Sequence, residues 1–504
     1  TGNSNVTNDG TVSATGDSYA DGIYAYSFSG DAVVTTGVDS VTSATSDYYA
    51  TGILAAGYNS AIVDNSGSVY AVAGVEDGDG DSYGALAGSY GLASVTNSGL
   101  IDSSATGLFA RALGAGAYSV NDTAIVTNSG SISASASGSG YATAVGVAVE
   151  SPTYWAVVEN EDGGSIDASA DSYDGAQATG VYAIGYGVEV YNAGAISASA
   201  EAGAEYGGAT ATGVFAAGTF AVDFSSASGS SIEASASGYY AYATGLFVAG
   251  YNYVDVDNGG DIDAYASGVY GSATGMQVLA FDDVAVYNSG DITAEFDGFD
   301  GSATGVAVYS LSESVYFYNS GTITATNSSG PGVGVFLASG HYTELFNHGT
   351  ITADLAVVTG ASIDEIWNYG TINGAVDTGW SNDVFYNAEG GEWNASGASY
   401  FGGGDDLVLN YGTINMSDAA IYMGTYSEYG NGFLNAGTIT VSGDNLIDMG
   451  GGLDEVIDTL IPSLNPLPFT NYGVIDFVDG HPDDTLTIVG DFAGDGDIDV
   501  DVSA

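Results

Sequence analysis

The chain has 504 residues, and its 62 acidic residues face a single basic one, Arg111, which gives a formal charge of −61. One basic residue cannot neutralise a row of phosphates, so nucleic acids and anionic membranes are excluded as partners. The chain has no cysteine, which excludes disulfides, thiol catalysis and cysteine-based zinc sites. Hydrophobic residues make up 45% of the chain, so a folded core with its charge on the surface is expected.

One short phrase, typified by VEVYNAGAISASA at residues 188–200, is repeated along most of the chain. Its marker, Asn-x-Gly or a near variant, recurs at intervals of about 28 to 34 residues up to position 347, if degenerate copies near Thr36 and Ser226 are included. After position 347 the interval is about 19 to 25 residues, until the last one lengthens again. A second marker, Thr-Gly followed by an apolar residue, lies midway through the long repeats. Two markers in fixed register indicate a repeat protein in which each copy packs on its neighbours. The first marker falls at Asn8, Asn65, Asn97, Asn128, Asn160, Asn192, Asn258, Asn288, Asn319, Asn347, Asn368, Asn387, Asn410, Asn435 and Asn471.

Within each phrase the side chains alternate with the period of a β-strand. Ile196, Ala198 and Ala200 are expected to face the core, with the intervening serines facing solvent. Each repeat offers three strands: one before the Asn, one after the Gly and one after the Thr-Gly. The sequence therefore predicts an all-β fold, a single parallel β-helix (β-solenoid) of about 17 coils with three strands each. A rival interpretation divides each long repeat into two coils of about fifteen residues.

The Asn and Gly of the phrase are interpreted as a corner. Both residues tolerate left-handed backbone angles, which a sharp turn between strands requires. Coils stacked roughly 4.8 Å apart bring successive Asn side chains within reach, so their amides are expected to bond to one another along the axis.

Repeat length divides the chain into three regions. Residues 1–346 carry long repeats with side loops, residues 347–470 carry short repeats, and residues 471–504 form a closing segment. Several tyrosines lie in the side loops just before the Thr-Gly marker, where stacking predicts a ridge that binds carbohydrate, binds another copy of the chain, or packs on itself. These residues are Tyr19, Tyr48, Tyr49, Tyr239, Tyr240 and Tyr242.

Calcium is the cofactor that this composition favours, and two acidic stretches are candidates for it. Residues 401–410, FGGGDDLVLN, approach the calcium turn of RTX repeats and offer Asp405 and Asp406. Residues 76–81, EDGDGD, offer Asp77, Asp79 and Asp81, without the spacing of an EF-hand. The alternative is that both stretches are solvated acidic loops.

No catalytic residue is predicted. Arg111 is interpreted as a surface residue, and His348 as a solvent-facing turn residue. A serine protease needs Ser, His and Asp in register, and no supporting motif accompanies the three histidines. Paired carboxylates for glycoside hydrolysis occur by chance among so many acids. The chain is therefore expected not to be an enzyme, with a polysaccharide-acting enzyme as an alternative.

The Asn-x-Gly-x-Ile phrases resemble those of the passenger regions of bacterial autotransporters (type V secretion). The sequence DTLTIVGDF at residues 484–492 resembles the segment that closes such passengers before the outer-membrane barrel and seeds their folding during export. The resemblance implies a right-handed parallel β-helix that is extracellular or lies on the bacterial outer cell surface. It also implies a partner, the outer-membrane β-barrel of the same precursor, and a closing role for residues 471–504.

Two functional hypotheses follow. The first is a structural β-solenoid for adhesion or extracellular matrix, and the second is a homopolymer. In the second, the alternating residues 498–504 pair with the first coil of the next copy, which gives head-to-tail filaments. A calcium-stabilised surface-coat protein is a further alternative.

Overall fold

The computed structural model describes residues 2–74, 78–424, 430–450, 469–477 and 484–500. These residues contain no helix and form a parallel β-solenoid of about 15 turns, which confirms the predicted fold class and lies close to the expected coil number. None of the described segments is a helix long and apolar enough to cross a membrane.

The chain forms two compact units. The first unit comprises residues 1–279, 294–302 and 327–330, and the second comprises residues 280–293, 303–326 and 331–504. The predicted shortening of the repeats at residue 347 therefore lies inside the second unit. Its last described strands, in residues 484–500, continue the parallel columns of the coils before them.

One coil corresponds to one repeat. In the first unit Ile132 pairs in parallel register with Ile166, Ile166 with Ile196, and Ile196 with Ile232. All four side chains are buried, as the alternation predicted. Because each partner lies a whole repeat away, the interpretation with two short coils per repeat is wrong.

The glycine of the Thr-Gly marker lets opposite walls of the coil meet. A Cβ atom added to Gly180 would lie 2.5 Å from Cγ2 of Ile196 and 2.6 Å from the carbonyl oxygen of Gly213. Real Cβ atoms do not approach so closely, and Gly213 has the same relation to Ile232. The isoleucine of the phrase thus fills the space that the marker glycine leaves, which links the two sequence markers physically.

The Asn corners form the predicted amide ladder. In the first unit Nδ2 of Asn65 donates to Oδ1 of Asn97 at 2.7 Å, and the pattern continues through Asn128 and Asn160 to Asn192 at 2.8 to 2.9 Å. These side chains are fully buried. Each Nδ2 also donates to carbonyl oxygens, as Asn128 does to Gly130 and Ser165. The ladder therefore satisfies the polar groups of a buried turn.

The second unit has its own amide ladder, with every Nδ2 to Oδ1 distance between 2.7 and 2.9 Å. Where the first unit lacks an Asn, a hydroxyl is the donor, since Oγ1 of Thr36 and Oγ of Ser226 each donate at 2.6 Å to the next Asn. The ladder of the second unit runs through Asn288, Asn319, Asn347, Asn368, Asn387, Asn410, Asn435 and Asn471.

The expected left-handed corner is found at only some turns, such as those that contain Gly163, Gly229 and Gly390, whose φ angles are positive. Among the described residues with side chains, only Ser381 and Asp418 have positive φ, and the corner glycines Gly99 and Gly130 do not. A Cβ atom on Gly99 would instead lie 2.1 Å from the carbonyl oxygen of Gly67, and one on Gly130 would lie 2.1 Å from that of Gly99. Glycine is required here because consecutive coils approach too closely for a side chain.

The strands are numbered in chain order. Those that begin before residue 260 are β1 Ser4–Asn8, β2 Thr11–Gly16, β3 Tyr19–Ser27, β4 Asp31–Thr36, β5 Val41–Ser46, β6 Tyr49–Gly57, β7 Ser60–Asn65, β8 Ser68–Gly74, β9 Asp79–Ser89, β10 Leu92–Asn97, β11 Leu100–Ser119, β12 Ala124–Asn128, β13 Ser131–Asn160, β14 Ser165–Ser172, β15 Gly175–Asn192, β16 Ala195–Ala202, β17 Gly208–Ser226, β18 Ser231–Ser237, β19 Tyr240–Gly250 and β20 Tyr253–Asn258. Those that follow are β21 Asp261–Ala280, β22 Asp283–Asn288, β23 Asp291–Ser310, β24 Val315–Asn319, β25 Thr322–Asn327, β26 Val333–Ala338, β27 Tyr342–Asn347, β28 Thr350–Thr359, β29 Ile363–Asn368, β30 Thr371–Asp377, β31 Val384–Asn387, β32 Glu392–Tyr400, β33 Leu407–Asn410, β34 Thr413–Tyr422, β35 Gly432–Asn435, β36 Thr438–Ser442, β37 Asp444–Asp448, β38 Phe469–Asn471, β39 Val474–Asp476, β40 Thr485–Val489, β41 Phe492–Gly494 and β42 Asp497–Asp499.

Replacing one Asn in the middle of the ladder is expected to destabilise the fold strongly. Asn128→Ala leaves buried donors and acceptors on two neighbouring coils unsatisfied, which costs roughly 2–4 kcal/mol of unfolding free energy. Asn128→Ser keeps a donor like that of Ser226 and should recover part of the loss. Urea denaturation measures both, with the exposed Asn5→Ala as the control. Equal stability of Asn128→Ala and the control would contradict a structural role for the ladder.

Candidate functional site

Part of the first acidic stretch lies beside Arg111, the one arginine of the chain. Asp81 in β9 lies in register between Tyr49 and Arg111, and it is largely buried, whereas Asp79 is exposed. Burial raises the pKa of Asp81, the Arg111 guanidinium lowers it, and Asp79 raises it further. The third residue of this set, Asp77, lies outside the described residues. The Arg111 guanidinium therefore already supplies a positive charge beside Asp81, one of the acids predicted to bind calcium.

The two acids of the second stretch point to different surroundings. Oδ1 of Asp405 accepts the Gly430 N–H at 3.3 Å, at a partly exposed turn. Asp406 points inward and is buried, and its Oδ1 accepts the Asp383 N–H at 3.1 Å. In the described part of the chain no group of three or more His, Cys, Asp or Glu side chains is arranged to hold a metal ion. Calcium at Asp79, Asp81, Asp405 or Asp406 stays a prediction.

Asp406 belongs to a column of buried acids in the second unit. Oδ1 of Asp383 accepts the Asp364 N–H at 3.0 Å, Asp406 does the same for Asp383, and Asn431 ends the series by accepting the Asp406 N–H at 2.9 Å. The Oδ2 atom of each of the three acids is buried without a hydrogen-bond partner. We call Asp364, Asp383 and Asp406 the buried acid column.

The buried acid column binds protons more tightly than ordinary carboxylates do. Burial, and then the neighbouring charge of Asp364, raise the pKa of Asp383 to about 8. Burial also raises the pKa of Asp406 to about 7, and Asp405 adds to that shift. The pKa of Asp364 is raised by burial as well. At neutral pH the column is therefore at least partly protonated and carries less charge than its composition implies.

Asp364 and Asp383 were missed in the sequence, although a signal for them exists. Each acid of the column lies four residues before its ladder Asn, at a position that is Val188 or Val222 in the first unit and Val315 in the second. An acid at a position that is apolar in other coils marks a buried charge.

Some of the side-loop tyrosines contact one another. The rings of Tyr19 and Tyr49 are 4.8 Å apart and nearly parallel, and Tyr239 packs edge-on against Tyr240 at 4.9 Å. Tyr270 extends the second group, at 5.6 Å from both Tyr239 and Tyr240. The rings of these loops thus contact one another, although Tyr19 and Tyr242 keep much of their surface exposed.

A more continuous aromatic surface lies on the second unit. Tyr318, Phe346, Trp367 and Tyr386 occupy the residue before the ladder Asn in successive coils, and each is partly exposed. Trp367 lies 6.2 Å from Phe346 and 4.8 Å from Tyr386 between ring centroids. We call these four residues the aromatic face.

The flanks of the aromatic face carry further rings and the carboxylate of Glu365. His348 stacks on Tyr369 with ring centroids 4.6 Å apart and planes within 2°, in the turn position predicted for it. On the other side, Nε1 of Trp367 donates to Oε2 of Glu365 at 3.2 Å. The face therefore combines apolar ring surface with fixed hydrogen-bond acceptors.

A scan against protein-family models and a search of curated proteins found no match to this chain. The surface chemistry of the described residues is therefore the basis for the functional proposal.

The buried acid column should make stability fall as pH rises. A carboxyl group whose folded-state pKa lies above its unfolded value near 3.9 stabilises the fold fully below that value, and this contribution is lost as pH rises through the folded pKa. For Asp383 and Asp406 the window is roughly pH 4 to 8, with a slope approaching about 1.4 kcal/mol per pH unit per group. Asp383→Asn, which copies the natural Asn431, should flatten this slope and raise stability at pH 8.

Denaturation midpoints between pH 5 and pH 9 measure the effect. The control is Glu233→Gln, which removes one charge from a solvent-facing position opposite Asp263. Equal flattening by both variants would show that general charge repulsion, and not the buried acid column, sets the pH dependence.

Proposed function

We propose that this chain is a structural β-solenoid displayed on, or released from, the outer surface of a bacterium, where its aromatic face makes adhesive contacts. The repeat phrases and the closing sequence DTLTIVGDF support export by the type V route, in which the outer-membrane barrel of the same precursor is the partner. The proposed role is attachment or matrix building, without catalysis.

The observation that carries the adhesive role is the aromatic face itself. In a chain with a formal charge of −61, a column of Tyr318, Phe346, Trp367 and Tyr386 stands partly exposed on one wall of the second unit. A contiguous exposed apolar surface with a polar rim is typical of interaction sites. Aromatic rings also lose little conformational entropy on binding, because they have few rotatable bonds.

The high negative charge fits a role that needs both solubility and contact. Like charges keep copies apart in solution, while the apolar rings provide attraction only at short range. Head-to-tail filaments remain part of the proposal as a further state, in which mass action overcomes this repulsion.

A calcium-stabilised coat is the second candidate, and one column of acids favours it. Glu189, Asp223 and Asp255 follow one another in register on consecutive coils of the first unit; the first two are exposed and Asp255 is half-buried. The pKa values of Glu189 and Asp223 are raised by burial and by their acidic neighbours. Like charges about 5 Å apart repel by nearly 1 kcal/mol in a water-like dielectric. Cations that gather along this column would stabilise the coils.

Loss of the aromatic face should weaken attachment. Microspheres coated with the full chain are washed over methyl-terminated glass and over a cellulose film, and the retained fraction is counted. The double variant Trp367→Ser and Tyr386→Ser should retain roughly three- to tenfold fewer microspheres on at least one surface, since buried aromatic anchors dominate contact energies. The matched control is Tyr240→Ser with Tyr242→Ser in the first unit. Equal retention of both variants on both surfaces would exclude the aromatic face as the adhesive surface.

Cation dependence separates the two candidates. Raising NaCl should increase the thermal unfolding midpoint by screening the acid columns. The coat hypothesis requires more: calcium at matched ionic strength should raise the midpoint several degrees above the value in NaCl, and chelation should reverse the increase. Identical midpoints in calcium and sodium at equal ionic strength would eliminate it.

A further inference from the structure

The first unit has a hollow on its outer wall where a column of side chains is interrupted. Tyr26, Ala56, Gly88 and Tyr118 follow one another in parallel register on consecutive coils. The side chains of Ala56 and Gly88, a methyl group and a hydrogen atom, thus lie between the rings of Tyr26 and Tyr118. The resulting hollow measures about 450 Å³.

The interruption leaves ring faces uncovered. Elsewhere in this unit consecutive rings cover each other, as Phe215 and Phe247 do at 4.9 Å. Tyr26 and Tyr118 are separated by three coil spacings, roughly 14 Å, with no ring between them. Their side chains are 55% and 47% exposed, so the faces that look into the hollow are open to a ligand.

One side of the hollow is a rigid aromatic wall. Tyr58 and Tyr90 stack there with centroids 5.4 Å apart and planes within 6°, and Phe28 extends the wall. Tyr26, Tyr58, Tyr90 and Tyr118 together provide four phenol groups around the hollow, and none of its lining residues is charged. The site therefore offers ring faces for apolar surface and hydroxyl groups for hydrogen bonds.

A second hollow continues from the first. It measures about 270 Å³, shares Gly88 and Tyr118 with the first, and is lined by Leu86 and Ala148. It arises in the same way, because Gly116 and Ala148 stand between Leu86 and Tyr182 in the neighbouring column. Glu150 provides a carboxylate among its lining residues. We call the two adjoining hollows the trough.

We propose that the trough binds a neutral oligosaccharide that lies across its two neighbouring columns. A pyranose ring has an apolar face that packs on an aromatic ring and a rim of hydroxyl groups that bond to phenols and carboxylates. An anionic ligand is disfavoured by the charge of the whole chain, and the uncharged first hollow has no group that selects a cation. The two hollows adjoin at Gly88 and Tyr118, which suits a ligand built of consecutive rings.

The proposal is independent of the adhesive role of the aromatic face, because it involves other residues on the first unit. A second copy of this chain that inserts its own aromatic side chains is the competing occupant, and the experiment separates the two.

Filling the hollow tests the proposal. Isothermal titration calorimetry of the full chain with cellohexaose, xylohexaose and chitin hexamer, each at millimolar concentration, should give binding heat with at least one of them. Gly88→Tyr places a ring inside the hollow next to Tyr118 and should weaken that binding at least tenfold, although Ala56 still interrupts the column. The substitution fits the fold, because an added Cβ at Gly88 meets no atom within 4 Å.

Two further variants make the result specific. Gly88→Ala adds a methyl group but leaves the ring faces open, so it should bind within about twofold of the parent chain, whereas Tyr118→Ala should bind at least tenfold more weakly. Absence of heat with all three saccharides, or unchanged binding in Gly88→Tyr, would overturn the proposal. So would a dimer in sedimentation velocity that Gly88→Tyr abolishes, since a second copy would then be the occupant. Variants of the aromatic face should leave saccharide binding unchanged.

Discussion

The buried amide ladder is the constraint on which the rest of the structure depends. A carboxamide donates and accepts at once, so each Asn bonds to the coil before it and to the coil after it. Hydroxyl groups at Thr36 and Ser226 supply only the donor to the next Asn, and the register is kept there by the backbone strands on either side. The ladder fixes which residues stand above one another, and every other column of side chains inherits that register.

This common register explains why the core is mostly apolar and where the buried acid column departs from that pattern. Inward positions repeat as Ile, Val or Ala, and the marker glycines leave space for the isoleucines of the opposite wall. The buried acid column breaks this rule in the second unit, where three carboxyl groups replace apolar side chains. Asp383 and Asp406 each use one oxygen to accept a backbone N–H of the preceding coil, whereas Asp364 accepts the Ser362 hydroxyl. The other oxygen of each carboxyl group is left without a partner. The pKa of each of these carboxyl groups is raised as a result, because the neutral, protonated form is more stable in a buried site than the charged form.

On the outer walls, the same register places equivalent residues of successive coils next to one another, so that they form continuous columns of side chains. Consecutive rings give a filled column, as on the aromatic face, while small residues between rings give a hollow, as at Ala56 and Gly88. Both arrangements belong to a chain whose net charge of −61 disfavours anionic partners. The two surfaces proposed to bind ligands, the aromatic face and the trough, are mostly uncharged, so neutral ligands are expected to fit them best.

The sequence by itself determined the strand period, the one-coil repeat, the inward isoleucines and the Asn ladder, because these depend on periodicity and on the bonding capacity of the amide group. It also placed His348 in a turn and predicted a ridge of side-loop tyrosines that includes Tyr19 and Tyr49. It assigned the corner glycines to left-handed turns, whereas close approach of neighbouring coils explains Gly99 and Gly130. The buried acid column and the trough needed the tertiary structure, because each is made of residues some 20 to 30 positions apart whose alignment depends on the length of every coil between them. The repeated sequence motif determines how the coils stack, whereas the neighbours of an individual side chain are known only from the stacked structure.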